Sequence, residues 1–466
     1  MLRTTWAPHL PLDVRTSIAR GCTLRCYSSD NNSSAPPPWR PSAVLDEWVE
    51  KEARPISLRQ LTVFGRTLTE SRLLSSANYV RLELPTRIAH RLRNMQTLPY
   101  TALTNRHISQ VHELYYTAFE RLRRVQEIRT LEDNQVLCGL IRETLQEHLS
   151  VIPALAMGVL EIRTAVPPEV CDRLMTTMLR SRISRRVIAE QHLALTETFH
   201  SDAAQAKKRD DTSSDDDYVG QVLLRCSASE IVSSSAASIT RLVRRAYGPS
   251  VAIPRVELRG DLDSTFPYIP SHIEYIIGEL LRNSIQASIA REDPNPPPID
   301  VLVCEAQQHL IIRVSDQAGG VDPDVLPYLW SFAKGPRRDR RLRNLERVPR
   351  LAGTAQEVAL PPSVPPEDRR PDAIIPGSTS EKEDEPKRTT KGEKERYPSS
   401  LASITARGPE LRLGIGLPIS RIYAEYWAGS LEVHSLEGYG TDAFLQVSKL
   451  GNRNETLSTR ASMDAL

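Results

Sequence analysis

The stretch HIEYIIGELLRNSIQAS, residues 272–288, carries the most information about the second half of the chain. Apolar residues recur in it every three or four positions, which predicts an α-helix with one buried face. These residues are Ile273, Ile276, Ile277 and Leu280. Glu279 and Asn283 are four residues apart and therefore share a helix face, with Arg282 beside them. A carboxylate and an amide so placed occur both on ordinary surfaces and in functional sites, and this stretch alone leaves both interpretations open.

A second feature is the sequence DQAGG, residues 316–320, which directly follows the apolar run LIIRVS. That run predicts a strand, so Asp316 is expected at the strand end and Gly319 and Gly320 in the turn after it. A carboxylate at this position can accept a hydrogen bond from an amino group, and glycines let the backbone approach a ligand closely. A plain turn after a strand is the equally common alternative.

Two further glycine motifs follow. GIGLPISR, residues 414–421, places two glycines before a predicted helix whose early Pro418 suits the first turn. The free N–H groups and the dipole at such a helix start favour an anion. GYGTDAF, residues 438–444, predicts a tight turn into a final strand, where Thr441 could place a hydroxyl near the base of a nucleotide.

In this order the four motifs resemble the N, G1, G2 and G3 boxes of the GHKL ATPase superfamily. The resemblance implies that Asn283 binds Mg²⁺, that Asp316 takes the adenine amino group of ATP, and that the glycines at 414 and 416 hold its phosphates. It also implies a mobile ATP lid between the second and third motifs. The nucleotide-binding residues implied in this way are Glu279, Asn283, Gln286, Asp316, Gly319, Gly320, Gly414, Ile415, Gly416, Leu417 and Thr441.

The resemblance narrows to one family, the mitochondrial 2-oxoacid dehydrogenase kinases, which are the pyruvate dehydrogenase kinases and the branched-chain keto acid dehydrogenase kinase. In the second half, the likeness to that family lies in the stretches ELLRN, SDQAGG, GLPISRIYAEYWAGSLEV and GYGTD. In the first half, it lies in the stretches LPTRIAHRLRNMQTLPY, ISQVHELYYTAFERL and RSRISRRVIAEQHLAL. The likeness covers residues 45–335 and 411–450.

Membership of that family implies a mechanism and partners. Glu279 would be the general base that accepts a proton from a substrate serine, and Arg282, where the family usually has Lys, the second catalytic residue. The substrate would be the decarboxylase alpha subunit of a pyruvate or branched-chain complex, which phosphorylation inactivates. The lipoyl domain of the complex core would dock on the first half of the chain, and a homodimer is expected. Tyr275, four residues before Glu279, is similar to the branched-chain type.

The sequence departs from the family pattern at several positions. Ala318 replaces a usual glycine, Ser284-Ile285-Gln286 replaces the common Ala-Met-Arg, and a charged insert replaces the usual lid. These changes leave open a non-enzymatic alternative, an ATP-binding scaffold of the complex with weakened catalysis. A second alternative is a histidine kinase of the same superfamily, for which His192 is the nearest candidate acceptor. Because QHLAL lacks the acidic residue that usually follows such a histidine, we expect His192 to be a packed or capping residue.

Apolar residues in the first half recur at helical spacing, which predicts long amphipathic helices packed as an antiparallel bundle. In the second half, short apolar strands alternate with helices. We therefore expect an α+β protein, with an N-terminal antiparallel four-helix bundle and a GHKL (Bergerat-type) α/β sandwich. The expected domains are a bundle at 43–200, an exposed loop at 201–217, an ATPase domain at 218–450 and a C-terminal tail at 451–466.

Composition locates the segments that lie outside this core. The chain has 466 residues, a formal net charge of +2, and 34 prolines against 21 glycines. Prolines and charged residues crowd into residues 336–410, where Tyr397 is the only aromatic, so we expect a disordered insert in the lid. The near-balanced charge gives no case for nucleic-acid binding. No apolar run approaches the ~18–20 residues of a membrane-spanning helix, so we expect no membrane insertion.

Residues 1–27 have the composition of a mitochondrial transit peptide. They contain four arginines, one acid and no lysine, and their apolar residues are scattered. The run Arg25-Cys26-Tyr27-Ser28-Ser29 resembles a matrix-protease site. We therefore expect a matrix protein, with a Ser/Pro linker at 28–42 before the first domain.

Overall fold

The computed structural model describes residues 43–66, 68–205, 218–351 and 411–457. The predicted transit peptide and Ser/Pro linker lie outside the described residues, as do most of the predicted 201–217 loop and of the 336–410 insert.

Eight α-helices make up the described first half of the chain. They are α1 (Ala43–Val49), α2 (Leu58–Gly65), α3 (Glu70–Gln96), α4 (Tyr100–Leu103), α5 (Arg106–Arg123), α6 (Leu131–Glu147), α7 (Val151–Ile162) and α8 (Pro168–Gln205). Side-chain caps begin several of them, because a free N–H at a helix start needs an acceptor. Thr130 and Asp133 form such a capping box at the start of α6. Helix α3 packs on α5, α6 and α8, so the predicted amphipathic faces meet in one apolar core.

The helical run Leu131–Ile162, which joins α6 and α7 through a 3₁₀ turn at His148–Ser150, is apolar enough to cross a membrane by length and composition alone. Of its most apolar 18-residue window, 72% is buried inside the protein. Such burial is typical of a core helix in a folded domain. Pro153 lies within the first turn of α7, where a missing N–H is tolerated.

The described second half combines two sheets with helices. The strands are β1 (Tyr218–Val219), β2 (Val222–Ser227), β3 (Val256–Gly260), β4 (Thr265–Tyr268), β5 (Ile299–Glu305), β6 (His309–Asp316), β7 (Ser430–Leu436) and β8 (Gly440–Ser448). The small sheet has the order β1-β2-β4, and the large sheet has the order β3-β5-β6-β8-β7. In the large sheet only β3 and β5 run parallel. The chain is therefore an α+β protein, as predicted.

Helices α9 (Ala228–Tyr247), α10 (Pro270–Ile289) and α12 (Gly416–Tyr426) pack side by side, and α10 and α12 contact the large sheet. Strand β6 alternates strictly between a half-buried and a buried side chain. Leu310, Ile312 and Val314 lie on its buried face, and Asp316 ends that face. The period of two therefore directs the Asp316 carboxylate toward the helical layer.

The prediction of disorder from residue 336 onward was wrong for the first part of the insert. Residues Arg338–Glu346 form a helix, α11, which packs on α7. Leu345, Val348 and Leu351 are buried there. Averaged over the whole charged insert, this short apolar pattern was too weak to be recognised. The predicted loop at 201–217 also begins too early, because α8 continues to Gln205.

Residues 451–457, the described part of the predicted C-terminal tail, pack on residues 56–59, near the start of the described chain. Ser57 and Asn454 form an antiparallel bridge, and the Arg59 N–H donates to the Gly451 carbonyl. The side chain of Glu455 is fully buried and bonds to Arg87 of α3. The two ends of the described chain are therefore joined.

Candidate active site

Helix α10 carries the predicted base. Its apolar residues Ile273, Ile276 and Leu281 are fully buried, which fixes the helix between the sheet and its neighbours. Glu279 and Arg282 are only 3% and 5% exposed, so neither is an ordinary surface residue. The sequence pattern alone could not distinguish a surface pair from a site, and the burial of both side chains favours a site.

The carboxylate of Glu279 lies against the start of α12. A Cβ built on Gly416 would stand 2.1 Å from Glu279 Oε2. No such contact is tolerated between real atoms, so a residue with a side chain at 416 would force the carboxylate to move. Arg282 donates from Nη2 to the carbonyl of Leu411 at 3.5 Å, on the segment that leads into this glycine. The structure thus brings Glu279 against Gly416, and Arg282 against the chain segment that precedes it.

Other predicted residues of α10 and α12 differ in exposure. Asn283 is exposed, with no hydrogen bond to its amide within the described residues, whereas Gln286 is 8% exposed. The side chain of Ile415 is fully buried in the apolar core, and Leu417 is partly buried against it. Of these two apolar residues, Ile415 can therefore face a ligand only through its backbone.

A second group of predicted residues surrounds the Asp316 carboxylate. Ser284 of α10 donates its hydroxyl to Asp316 Oδ2 at 2.7 Å, and the N–H of Ala318 donates to Oδ1 at 3.1 Å. Thr441 of β8 is the direct cross-strand partner of Asp316 and so lies on the same face of the sheet. Ser284 and Glu279 stand on one helix, offset by about 7.5 Å along its axis. The two groups of residues are therefore fixed relative to each other.

The turn after Asp316 depends on its glycines. Gly319 and Gly320 have φ values of +90° and +79°, which residues with a Cβ rarely adopt. Gly319 exchanges two backbone hydrogen bonds with the β7–β8 turn, at Tyr439 and Gly438. A Cβ on Gly440 would stand 1.9 Å from the Asp316 carbonyl oxygen. The second and fourth sequence motifs are therefore one continuous structure.

Gly414 is held by Arg341, a residue that sequence reasoning missed. Gly414 has a φ of +70°, and a Cβ there would stand 2.7 Å from Arg341 Nε. The guanidinium of Arg341 donates to the carbonyls of Leu413 and Gly414. Apolar residues at 342, 345 and 348 were the available signal for its helix, but the surrounding arginines obscured them. Ser284 was noticed only as a departure from the family pattern.

His192 has the surroundings of a packed histidine, as predicted. It is fully buried, its Nδ1 lies 3.0 Å from Ser76 Oγ, and its Nε2 lies 2.9 Å from Asn134 Oδ1. A neutral ring satisfies both contacts, accepting from the serine and donating to the amide oxygen. Burial lowers the pKa of His192 to about 4. Neither ring nitrogen is open to a phosphate donor.

Comparison with known proteins agrees with this geometry. The sequence model of the family described as mitochondrial branched-chain alpha-ketoacid dehydrogenase kinase matches residues 55–223. The chain is similar to the mitochondrial [pyruvate dehydrogenase (acetyl-transferring)] kinase 2 of Saccharomyces cerevisiae, with 32% identity over 92% of this chain and 88% of that protein. The corresponding kinase of Arabidopsis thaliana is 27% identical over 89% of this chain and 95% of its own length.

A human relative, [pyruvate dehydrogenase (acetyl-transferring)] kinase isozyme 1, is 25% identical over 91% of this chain and 84% of its own length. All three alignments run through both the helical half and the half that carries Glu279 and Asp316. Together with the buried carboxylate and the glycine turns, they identify the class of protein. The chain belongs to the family of mitochondrial 2-oxoacid dehydrogenase kinases, and it is a protein kinase of that family.

Proposed function

We propose that this kinase transfers the γ-phosphate of ATP to a serine of the decarboxylase alpha subunit of a 2-oxoacid dehydrogenase complex and thereby inactivates the complex. The observation that carries the proposal is the buried Glu279 carboxylate against Gly416, in a chain whose relatives are named pyruvate dehydrogenase kinases. A carboxylate held there can act on a hydroxyl that approaches the start of α12.

In the proposed mechanism Glu279 is the general base. It accepts the proton of the serine hydroxyl as the serine oxygen attacks the γ-phosphate, which leaves the glutamate neutral and the serine phosphorylated. Arg282, the second proposed catalytic residue, keeps its charge and stands one residue before the proposed metal ligand. Phosphoryl transfer needs mainly positioning and charge stabilisation from a protein, which suits a fixed helix such as α10.

The proposed nucleotide site extends from Asp316 to Gly416. Asp316, already bonded by Ser284 and the Ala318 N–H, has acceptor capacity left for the adenine amino group. Thr441 lies beside it on the sheet, and Gln286, Gly319 and Gly320 belong to the same group. Gly414, Ile415, Gly416 and Leu417 would hold the phosphates through backbone N–H groups at the start of α12.

Asn283 is the proposed protein ligand of Mg²⁺. The described residues contain no group of three or more His, Cys, Asp or Glu that could hold a metal by themselves. An exposed amide oxygen one turn after Glu279 still fits Mg²⁺, because this ion usually takes few protein ligands, keeps waters and binds substrate phosphates. When bound, the ion would neutralise charge on the β- and γ-phosphates.

The finer architecture and the partners are part of the proposal. We propose a four-helix bundle at 43–200 that docks the lipoyl domain of the complex core, and a GHKL-type sandwich at 218–450. This division is supported by the contacts of α3 with α5, α6 and α8, and by the packing of α10 and α12 on the five-stranded sheet with α9 beside α10. We further propose a homodimer in the mitochondrial matrix, imported by residues 1–27.

The two alternative functions lack comparable support. A histidine kinase would need an accessible acceptor, and His192 is buried with both ring nitrogens engaged. A scaffold without turnover would not need the close fit between Glu279 and Gly416. Relatives over nearly the whole chain are named kinases.

A side-by-side assay tests the proposal and identifies the complex. Purified pyruvate and branched-chain decarboxylases are each incubated with the full chain, Mg²⁺ and labelled ATP. We expect label on a serine of one alpha subunit together with loss of that decarboxylase activity. Label in neither subunit, or acid-labile label on the kinase itself, would overturn the proposal. The same assay decides between the two complexes, because the family model that matches is of the branched-chain kinase while the relatives are named pyruvate dehydrogenase kinases.

A further inference from the structure

The segment of residues 331–335, between the Asp316 turn and α11, is bound to the helical half of the molecule. Asp172 of α8 accepts from the Ser331 hydroxyl at 2.6 Å and from the N–H groups of Phe332 and Ala333 at 2.8 and 2.9 Å. One carboxylate thus takes three hydrogen bonds from three consecutive residues. Charge-assisted bonds of this kind are stronger than neutral ones, so this attachment is well defined.

Two other residues of the helical half hold the same segment. Arg163, directly after α7, donates from Nη1 to the carbonyl of Ala333 at 3.1 Å. Lys334 pairs with Glu169 of α8 at 2.5 Å on the exposed side. Helix α11 is attached as well, because Arg338 donates to the Leu160 carbonyl at 2.9 Å. The segment therefore follows the position of α7 and α8.

Arg341 connects the other side of this segment to the glycine loop of residues 413–416. Its Nη2 donates to the carbonyls of Phe332 at 2.8 Å and Gly414 at 3.2 Å. Its Nη1 reaches the Lys334 carbonyl at 3.1 Å, and its Nε reaches the Leu413 carbonyl at 3.3 Å. A single planar guanidinium thus fixes two carbonyls of each chain segment. Among the described residues it forms no salt bridge, so the carbonyls are its partners.

The charge of Arg341 persists at neutral pH. Burial, followed by the neighbouring Arg163, lowers the pKa of Arg341 to about 10, and Asp172 acts in the opposite direction. A buried guanidinium is costly unless its donors are satisfied. Because Arg341 needs these acceptors, it holds together the two chain segments that supply them. The position of Gly414 is fixed in this way.

We propose that Arg341 and Asp172 are positioning residues for phosphoryl transfer, which hold the 331–335 segment between helix α8 and the glycine loop. The consequence is that helices of the first half set the geometry of the loop that meets the nucleotide phosphates. A further contact agrees, since Arg421 of α12 lies over the ring of Trp330 at 4.9 Å. This inference rests on the function proposed above, because it assigns the loop a role in ATP binding.

The first experiment compares Arg341→Met and Arg341→Lys with Arg343→Met, a matched control on the exposed side of α11. KM for ATP and kcat are measured on the decarboxylase, and the Kd for ADP is measured by calorimetry. We expect the KM and Kd of Arg341→Met to rise on the order of 10- to 100-fold, the range expected for misplaced binding groups. Arg341→Lys should recover part of the loss, and Arg343→Met should stay within about twofold of the original.

The second experiment adds Asp172→Ala, its exposed neighbour Arg173→Ala as control, and the double variant Asp172→Ala/Arg341→Met. Because both residues hold the same segment, the double variant should lose less than the product of the two single losses. Unchanged nucleotide affinity in folded Arg341→Met, or losses that multiply independently, would overturn the inference. If the original chain transfers no phosphate, the proposed function fails instead, while the ADP affinities still test the positioning role.

Discussion

Glu279 and His192 are both buried titratable residues, but their surroundings give them different chemistry. Both nitrogens of His192 have partners that a neutral ring satisfies, and burial keeps the proton away. Glu279 belongs to α10, and its carboxylate lies against the start of α12, where Gly416 leaves room for it. Their surroundings therefore distinguish a structural histidine from a carboxylate whose proposed role is catalytic.

The neutral state of His192 predicts a pH dependence of stability. Its folded pKa, about 4, is below the ordinary value of 6.5, so the unfolded chain binds the proton first as the pH falls. The contribution to stability is complete above pH 6.5 and is lost between 6.5 and 4, with about 2 kcal/mol lost at pH 5. The free energy of unfolding in urea is measured at several pH values for the original chain and for His192→Gln. The difference in this free energy between the two proteins should change with pH over that range. Parallel pH curves would show that the ring is not held neutral.

Several residues of the candidate site could be recognised from the sequence because each belongs to a local pattern. Glu279 and Asn283 lie on a periodic helix, and Asp316 and the glycines follow a strand. Ser284, Arg341 and Asp172 could not be recognised, because their partners are distant in the chain. Arg341 also lies among other arginines, and nothing in the sequence distinguishes it from them. Such residues are defined by tertiary contacts alone.

At the scale of elements, the site is the meeting of α10, α12 and the ends of β6 and β8. Alternation along β6 directs Asp316 to the helical layer, and the register pairs it with Thr441. The middle of α10, at Glu279, and the start of α12 come close because Gly416 has no side chain. The sequence predicted the four elements that meet here, α10, β6, α12 and β8, whereas the short β4 strand of the small sheet (Thr265–Tyr268) was not predicted.

A methyl group at position 416 tests this contact between elements. Gly416→Ala should displace the Glu279 carboxylate and lower kcat on the order of 100-fold, as expected for a catalytic group moved by about 1 Å. Stability should change little, because Gly416 has an ordinary helical φ and Ala is the better helix former. Transfer assays and thermal unfolding measure the two effects separately.

Gly139→Ala provides the matched control for this variant. Gly139 is also helical, and nothing lies within 4 Å of a Cβ there, so its activity should equal that of the original chain. If Gly416→Ala transfers phosphate as fast as Gly139→Ala does, the assigned contact with Glu279 has no catalytic importance.

At the scale of the whole molecule, the residue that joins the most distant parts is Glu455. It pairs with Arg87 of α3 at 2.9 Å, accepts from the Ile56 N–H at 3.1 Å, and accepts the hydroxyl of Tyr426 at the end of α12. Burial raises the pKa of Glu455, and the Arg87 guanidinium opposes that shift. Glu455 thus binds the segment around Ile56, near the start of the described chain, to the helix that carries Gly416.

Removal of this carboxylate should destabilise the molecule. Glu455→Ala leaves the buried Arg87 with Glu83 as its remaining carboxylate, so we expect a loss of about 2–4 kcal/mol of unfolding free energy. Arg453→Ala, at an exposed position on the same segment, is the control and should change stability by less than about 0.5 kcal/mol. Equal unfolding free energies for the two variants would show that the C-terminal attachment contributes nothing.

The central claim is that Glu279 is the base of a protein kinase, and Glu279→Gln tests it most directly because the amide keeps the shape and loses the basicity. Single-turnover transfer from labelled ATP to the purified decarboxylase is measured beside the Kd for ATP. We predict that the transfer rate falls on the order of 10²- to 10⁴-fold while ATP affinity stays within about threefold. Transfer at the original rate by Glu279→Gln would contradict the account.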